Sequence, residues 1–153
     1  MLPDLRRWRA LTSTERKHLA QALLGLTWVA LGTRWLGFKA MHRRVTLSAL
    51  VGGSLDTPCA VANARAIQRW VEVAARRGPI AGTCLTRSLT LLMLLKREGI
   101  PGDLRIGVRL DAGKLDAHAW VEVNGEPVNE TPDVASRYAA YERTVPINSK
   151  GFQ

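Results

Sequence analysis

Two side chains of this sequence have the chemistry of a cysteine nucleophile and its base. Cys84 opens an apolar stretch that runs to Leu95 and has the character of a helix. His118 lies in the alternating run AHAWVEV at residues 117–123, a pattern typical of a strand. A thiol reacts as the thiolate, which a helix N-terminus and a neighbouring imidazole both favour. The two residues therefore predict a Cys84–His118 pair that attacks a carbonyl carbon.

A nucleophile–base pair needs a third group that orients the imidazole and stabilises its charged form. Two candidates, Asn129 and Glu130, follow the hairpin turn predicted at Asn124-Gly125. A strict two-residue turn places Asn129, and not Glu130, on the strand face that carries His118. One bulged residue near Pro127 would bring Glu130 to that face instead. The register of the hairpin therefore decides the third member, and the sequence leaves both candidates open.

Both members of the pair also have a structural interpretation. A single cysteine on a helix face is more often a small buried core residue than a nucleophile, and nothing argues against that interpretation for Cys59. A single histidine is usually structural as well. His18 and His42 fall in the basic N-terminal third, so His118 is the histidine that is placed for a site.

The elements that position these residues follow from periodicity and from helix-breaking residues. Ser13 or Thr14 is expected to cap a first helix that starts at Glu15. Glycines at 52 and 53 mark a break, after which Thr57 is expected to cap a second helix. The remaining pattern predicts that second helix at residues 59–77, which Gly78-Pro79 ends, and then a helix that starts at Cys84 with Thr83 as its cap and stops at Gly99. Strands are predicted at 103–110, 116–123 and 126–131.

Helices followed by an antiparallel meander predict an α+β fold, with N-terminal helices preceding a Cys-bearing helix packed on a small antiparallel sheet. We expect a helical region at residues 1–55 and the core at residues 56–153, joined in one compact unit. The stretch 19–38 is apolar enough to raise the question of a membrane span. Gln21, Arg34 and three glycines favour a packed or interfacial helix instead.

The composition limits the function classes. The chain has 153 residues, a formal charge of +9 and 46% hydrophobic residues, which describes one globular domain with a basic surface. Its basic residues are scattered pairs without a zinc-finger or RNA-binding motif, so nucleic acid is not an expected partner. Neither a metal-ligand cluster nor a phosphate-binding loop is recognisable, so no metal and no cofactor are expected. Two cysteines and no signal-peptide pattern favour a reduced, cytoplasmic setting.

Three segments together resemble the transglutaminase-like leader peptidases of lasso peptide biosynthesis, the B2 proteins. They are GTCLTRSL at residues 82–89, LLKREGIP at residues 94–101 and AHAWVEVNG at residues 117–125. The resemblance covers roughly residues 60–140. It implies a papain-like or transglutaminase-like core and a cysteine peptidase. Such enzymes remove the leader from a ribosomally made precursor before a separate cyclase closes a macrolactam ring.

The resemblance also implies roles and partners. Cys84 matches the nucleophile and His118 the general base, while Glu130 occupies the position of the acidic third member, which is usually aspartate in that family. Asn129 stays open as an amide orienter. Some members carry a fused, winged-helix-like leader-recognition module, which the helical N-terminal third does not resemble. The implied partners are therefore the lasso precursor peptide, a separate recognition protein (B1) and the macrolactam cyclase.

Two rival functions stay open at this point. An amine instead of water is able to intercept the same acyl-enzyme, which gives transglutaminase-like acyl transfer such as peptide ligation or cross-linking. Alternatively, the chain is a non-enzymatic adaptor whose basic surface holds an acidic peptide or a membrane, with peripheral membrane contact included.

Overall fold

A computed structural model describes residues 11–47 and 59–140 of the chain. Helices come first and an antiparallel sheet follows, which confirms the predicted α+β class. The predicted break at residues 52–54 and the predicted cap Thr57 lie outside the described residues. In chain order the elements are α1 (Ser13–Leu47), α2 (Cys59–Arg77), α3 (Cys84–Arg97), β1 (Asp103–Asp111), β2 (Lys114–Val123), β3 (Glu126–Pro127), α4 (Val134–Arg137) and β4 (Ala139–Ala140).

The first helix begins with a reciprocal cap one residue earlier than predicted. The Thr12 hydroxyl accepts a hydrogen bond from the Glu15 amide at 3.3 Å, and the Glu15 carboxylate accepts one from the Thr12 amide at 2.8 Å. This capping box satisfies amides that the helix itself leaves without partners. The prediction of Ser13 or Thr14 as the cap is therefore wrong, because the acidic residue pairs with the threonine three positions before it.

A kink divides α1 near its C-terminal end. Gly37 has φ 78° and ψ 166°, a conformation that residues with a Cβ rarely adopt. The helix therefore consists of a long segment before Gly37 and a shorter one after it. Among the described residues, none of the helices has both the length and the apolar character needed to cross a membrane.

The main core lies where α1, α2 and α3 pack together and against one face of the sheet. From the sheet, Val121 and Val123 of β2 join this core. Trp120 points to the other face, where it is buried with Val134 and Tyr138. The alternation along β2 therefore separates a helix-packed face from a second face that carries His118, as the sequence predicted.

The sheet has four antiparallel strands in the order β3-β2-β1-β4. β1 and β2 extend beyond their predicted limits and meet in a tight turn at Ala112-Gly113, so that Gly107 pairs with His118. The predicted turn at Asn124-Gly125 is confirmed, and both of its residues have positive φ. The returning strand is shorter than predicted, because β3 ends at Pro127 and not at Thr131.

Candidate active site

Cys84 is the first residue of α3. Thr83 is the N-cap, and its hydroxyl accepts a hydrogen bond from the Thr86 amide at 3.3 Å, which confirms the predicted cap. The thiol of Cys84 is free and partly buried. Because the first amides of a helix have no partner within it, they leave a partial positive charge beside the sulfur. The sequence therefore folds locally so that Cys84 lies at a helix N-terminus.

His118 is bonded to an acid from the loop that follows β3. Its Nε2 lies 2.7 Å from Oε1 of Glu130, and both side chains are largely buried. An ionised carboxylate only accepts hydrogen bonds, so this contact assigns the proton of the neutral imidazole to Nε2. Nδ1 is then left as the nitrogen that can accept a proton from another group.

Neither predicted register describes how Glu130 reaches the histidine. Val123 pairs with Glu126 and Glu122 with Pro127, which is the strict two-residue register, so the bulge considered at Pro127 is absent from the hairpin as described. The chain leaves the ladder after the Val128 amide donates to the Val121 carbonyl. From that bend Glu130 turns to His118, although a continuing strand in this register would have pointed it to the other face.

Asn129 does not touch the imidazole but connects α3 to β2. Its Oδ1 accepts a hydrogen bond from the Val121 amide at 2.7 Å, and its Nδ2 donates to the Ser88 hydroxyl at 2.9 Å. The buried Ser88 hydroxyl donates in turn to the Ala119 carbonyl at 2.9 Å. Ser88 lies one turn after Cys84, and Ala119 follows His118. This network therefore fixes the helix of the thiol against the strand of the imidazole.

Aromatic rings cover the other side of the imidazole. The Tyr138 ring stacks on His118 with ring centroids 5.2 Å apart. Its hydroxyl donates to Asp116 at 2.9 Å, and this bond, together with the bond from Arg109, holds the pKa of that carboxyl below its ordinary value. Gly107 lies beneath the rings, where an added Cβ would stand 2.7 Å from the Tyr138 Cβ. Only glycine allows this approach.

Cys84 and His118 line one cavity of about 210 Å³. Asn129 and Glu130 also line it, so the structure brings every predicted site residue to one place. No hydrogen bond joins the thiol to the imidazole among the described side chains. In free enzymes such contacts are often long and tighten when substrate binds. The thiol of Cys84, the imidazole of His118 and the carboxylate of Glu130 therefore line the same cavity.

Three polar or charged residues of the cavity, Gln68, Glu72 and Arg87, were not predicted as site residues. Gln68 Oε1 and Arg87 Nε are buried without a hydrogen-bond partner, the only such side-chain atoms in the part of the chain that the structure describes. The Arg87 guanidinium contacts Glu72, with Nη1 and Oε2 at 3.3 Å. Buried polar atoms normally have partners, so these two atoms are exceptions. The three residues lie on α2 and α3, and no short sequence motif predicts that their side chains line this cavity.

The site also lacks the donor set of a metal centre. Within residues 11–47 and 59–140, no three His, Cys, Asp or Glu side chains are grouped so that they could hold a metal ion.

The sequence profile described as the transglutaminase-like superfamily matches residues 24–143. The chain belongs to this superfamily. Neither the curated proteins nor the solved structures yielded a match. The transglutaminase-like superfamily includes cysteine peptidases and acyl transferases. The predicted resemblance is thereby confirmed at the level of the superfamily, and its narrower assignment to lasso peptide biosynthesis stays a prediction.

Proposed function

We propose that this chain is a cysteine peptidase that removes the leader peptide from a lasso precursor. The observation that carries the proposal is the 2.7 Å contact between His118 and Glu130 at a cavity that Cys84 also lines. The motifs around Cys84 and His118 support the narrower assignment through their resemblance to lasso leader peptidases. We place the reaction in the cytoplasm, where a thiol nucleophile stays reduced.

In the proposed reaction, His118 Nδ1 takes the proton of Cys84 and the thiolate attacks the carbonyl carbon at the junction of leader and core. A C–S bond forms, and the C–N bond breaks once the imidazolium protonates the leaving amine of the core. Water then attacks the thioester while His118 accepts its proton. The C–S bond breaks, the Cys84 sulfur takes the proton back from His118, and the leader leaves with a free carboxylate. Glu130 keeps the imidazole in the required tautomer and stabilises its charged form.

The backbone amide of Cys84 is the proposed first donor to the oxyanion, because it lies at the unpaired start of α3. The network from Ser88 through Asn129 has a positioning role, since it holds α3 and β2 in fixed relation.

The proposal includes partners that deliver and receive the peptide. A separate leader-recognition protein would bind the leader and present the junction to the cavity. The freed core amine would then be available to a macrolactam cyclase. The resemblance supports both partners, and the basic surface of the chain, with its formal charge of +9, suits an acidic partner.

The test is a cleavage assay with the purified chain, a candidate precursor and its recognition protein, read by mass spectrometry. We expect Cys84→Ala to remove cleavage, a loss on the order of 10⁶-fold when a nucleophile is deleted. Cys59→Ala is the matched control, because that thiol also begins a helix but is exposed, and it should cleave like the wild type. A Cys84→Ala variant that processes the precursor normally would overturn the proposal.

The same assay separates hydrolysis from acyl transfer, the other chemistry of the superfamily. Hydrolysis leaves free leader and free core, whereas transfer leaves the leader joined to an added amine. If the conjugate forms and its formation requires Cys84, then Cys84 is the nucleophile of an acyl transferase and not of a peptidase.

A further inference from the structure

The outward side of α1 exposes a continuous row of large apolar side chains. Their spacing of four, three and four residues places them on one side of the helix. Leu24 is 73% exposed and Trp35 is 83% exposed, whereas Ala22, Leu26 and Val29 on the opposite side are buried in the core. We call this row the apolar stripe; its members are Leu24, Trp28, Leu31 and Trp35.

Exposed cations follow the stripe on the segment that folds back after the Gly37 kink, where Met41 packs against Gly32. Beyond the kink, Lys39 and Arg43 are exposed one turn apart, while Met41 and Val45 are buried opposite them. Arg34 is exposed next to the stripe. None of these three cations forms an ion pair with an acid of the described residues. The exposed surface of α1 therefore combines the apolar stripe with Arg34 beside it and with Lys39 and Arg43 on the returning segment.

This combination fits a lipid surface. Contiguous apolar patches on a protein surface are typical of contact sites. Tryptophan is favoured at the membrane–water boundary, and helices that lie in that boundary combine Trp and Leu with Lys and Arg. From Leu24 to Trp35 the stripe is about 16 Å long, which suits a helix lying along the surface.

We propose that the outward side of α1 binds an anionic lipid bilayer. The stripe would enter the acyl boundary while Arg34, Lys39 and Arg43 contact anionic headgroups. The formal charge of +9 acts in the same direction. This proposal does not depend on the peptidase chemistry, because none of the residues that line the Cys84 cavity belongs to α1.

The test is cosedimentation of the purified chain with vesicles of phosphatidylcholine, alone or mixed with phosphatidylglycerol. We expect binding to the mixed vesicles at least about tenfold tighter than to the neutral ones, and weaker binding at high salt. The double variant Leu24→Ser/Trp35→Ser should lower the affinity at least about tenfold, since it removes two apolar groups from the contact.

Two further variants separate the contributions. Leu110→Ser/Leu115→Ser is the matched apolar control, because these side chains are 75% and 73% exposed on the β1–β2 hairpin, and it should bind like the wild type. Lys39→Gln/Arg43→Gln should remove most of the preference for phosphatidylglycerol while leaving the weak binding to neutral vesicles. Circular dichroism of each variant confirms that the fold is retained.

Three results would overturn the proposal. One is the absence of binding to the mixed vesicles. Another is binding that the stripe variant and the hairpin control weaken equally. The third is a wild-type dimer in sedimentation that becomes monomeric in Leu24→Ser/Trp35→Ser without any vesicle binding, which would identify a second copy of this chain as the occupant of the stripe.

Discussion

The two cysteines of this chain occupy the same position in two helices but stand in different surroundings. Cys59 is the first residue of α2 and Cys84 the first residue of α3, so both are near a helix N-terminus. Cys59 is exposed. Cys84 is partly buried and lines a cavity with His118 and Glu130. The helix terminus is therefore shared, and the imidazole is what distinguishes the second thiol.

The candidate active site combines side chains from three parts of the fold: α3, β2 and the loop after β3. The helix start supplies a partial positive charge, worth about 0.3–1 kcal/mol at exposed positions, which alone does little for a thiol. Proton transfer to a positioned imidazole contributes far more. The network of Ser88 and Asn129 matters because it sets α3 and β2 at the separation on which that transfer depends.

Among the variants that test the role of the imidazole, His118→Ala is expected to lower cleavage most. This change leaves the thiol and the helix start in place and removes the group that takes the proton. We expect precursor cleavage to fall about 10³-fold, within the range for loss of a general base. His42→Ala is the control, since that imidazole stacks on Phe38, away from the cavity, and cleavage should be unchanged. Equal losses in the two variants would show that the effect comes from folding.

A smaller loss is expected from Glu130→Gln. The amide cannot stabilise the imidazolium as a carboxylate does, and its NH₂ group can donate to Nε2 and favour the wrong tautomer. We expect cleavage to fall about 10²-fold with little change in stability. Glu126→Gln is the matched control, because this carboxylate lies on the same hairpin and pairs with the exposed Arg65. A Glu130→Gln variant with wild-type cleavage would exclude Glu130 as the orienting acid.

Loss of the hydrogen-bond network between α3 and β2 is expected to have the smallest effect on cleavage. It should still lower the stability of the fold measurably. Asn129→Ala leaves the Val121 amide and the Ser88 hydroxyl short of partners and should lower the free energy of unfolding by about 1–3 kcal/mol. Ser88→Ala should have a similar cost. In denaturant titrations the double variant should cost less than the sum of the single ones, because both remove one network. Strict additivity would show that the two side chains act independently.

Much of the fold was predictable because local signals agree with the tertiary structure. α2 has its predicted bounds, 59–77, where a periodic apolar face meets the stop at Gly78-Pro79. The Thr83 cap and the Asn124-Gly125 turn are likewise local chemistry. The turn at Ala112-Gly113 was missed because alanine seldom adopts the φ of 47° found there.

The site was predictable only in part, because its assembly depends on contacts between distant segments. The types of Cys84, His118 and Glu130 were visible in the sequence. The early end of β3 was not, since it depends on the Asn129 side chain taking the place of a strand carbonyl. Stacking of Tyr138 on His118 and the unpartnered atoms of Gln68 and Arg87 arise from packing across elements. No short motif encodes contacts of that kind.

The central claim is that the imidazole makes Cys84 a nucleophile and leaves Cys59 an ordinary thiol. Alkylation with iodoacetamide at pH 7, followed site by site with mass spectrometry, tests it within one molecule and needs no substrate. We predict that Cys84 reacts at least about tenfold faster than Cys59, and that His118→Ala removes most of this difference. Equal rates for the two thiols in the wild type, or a difference unchanged in His118→Ala, would contradict the account.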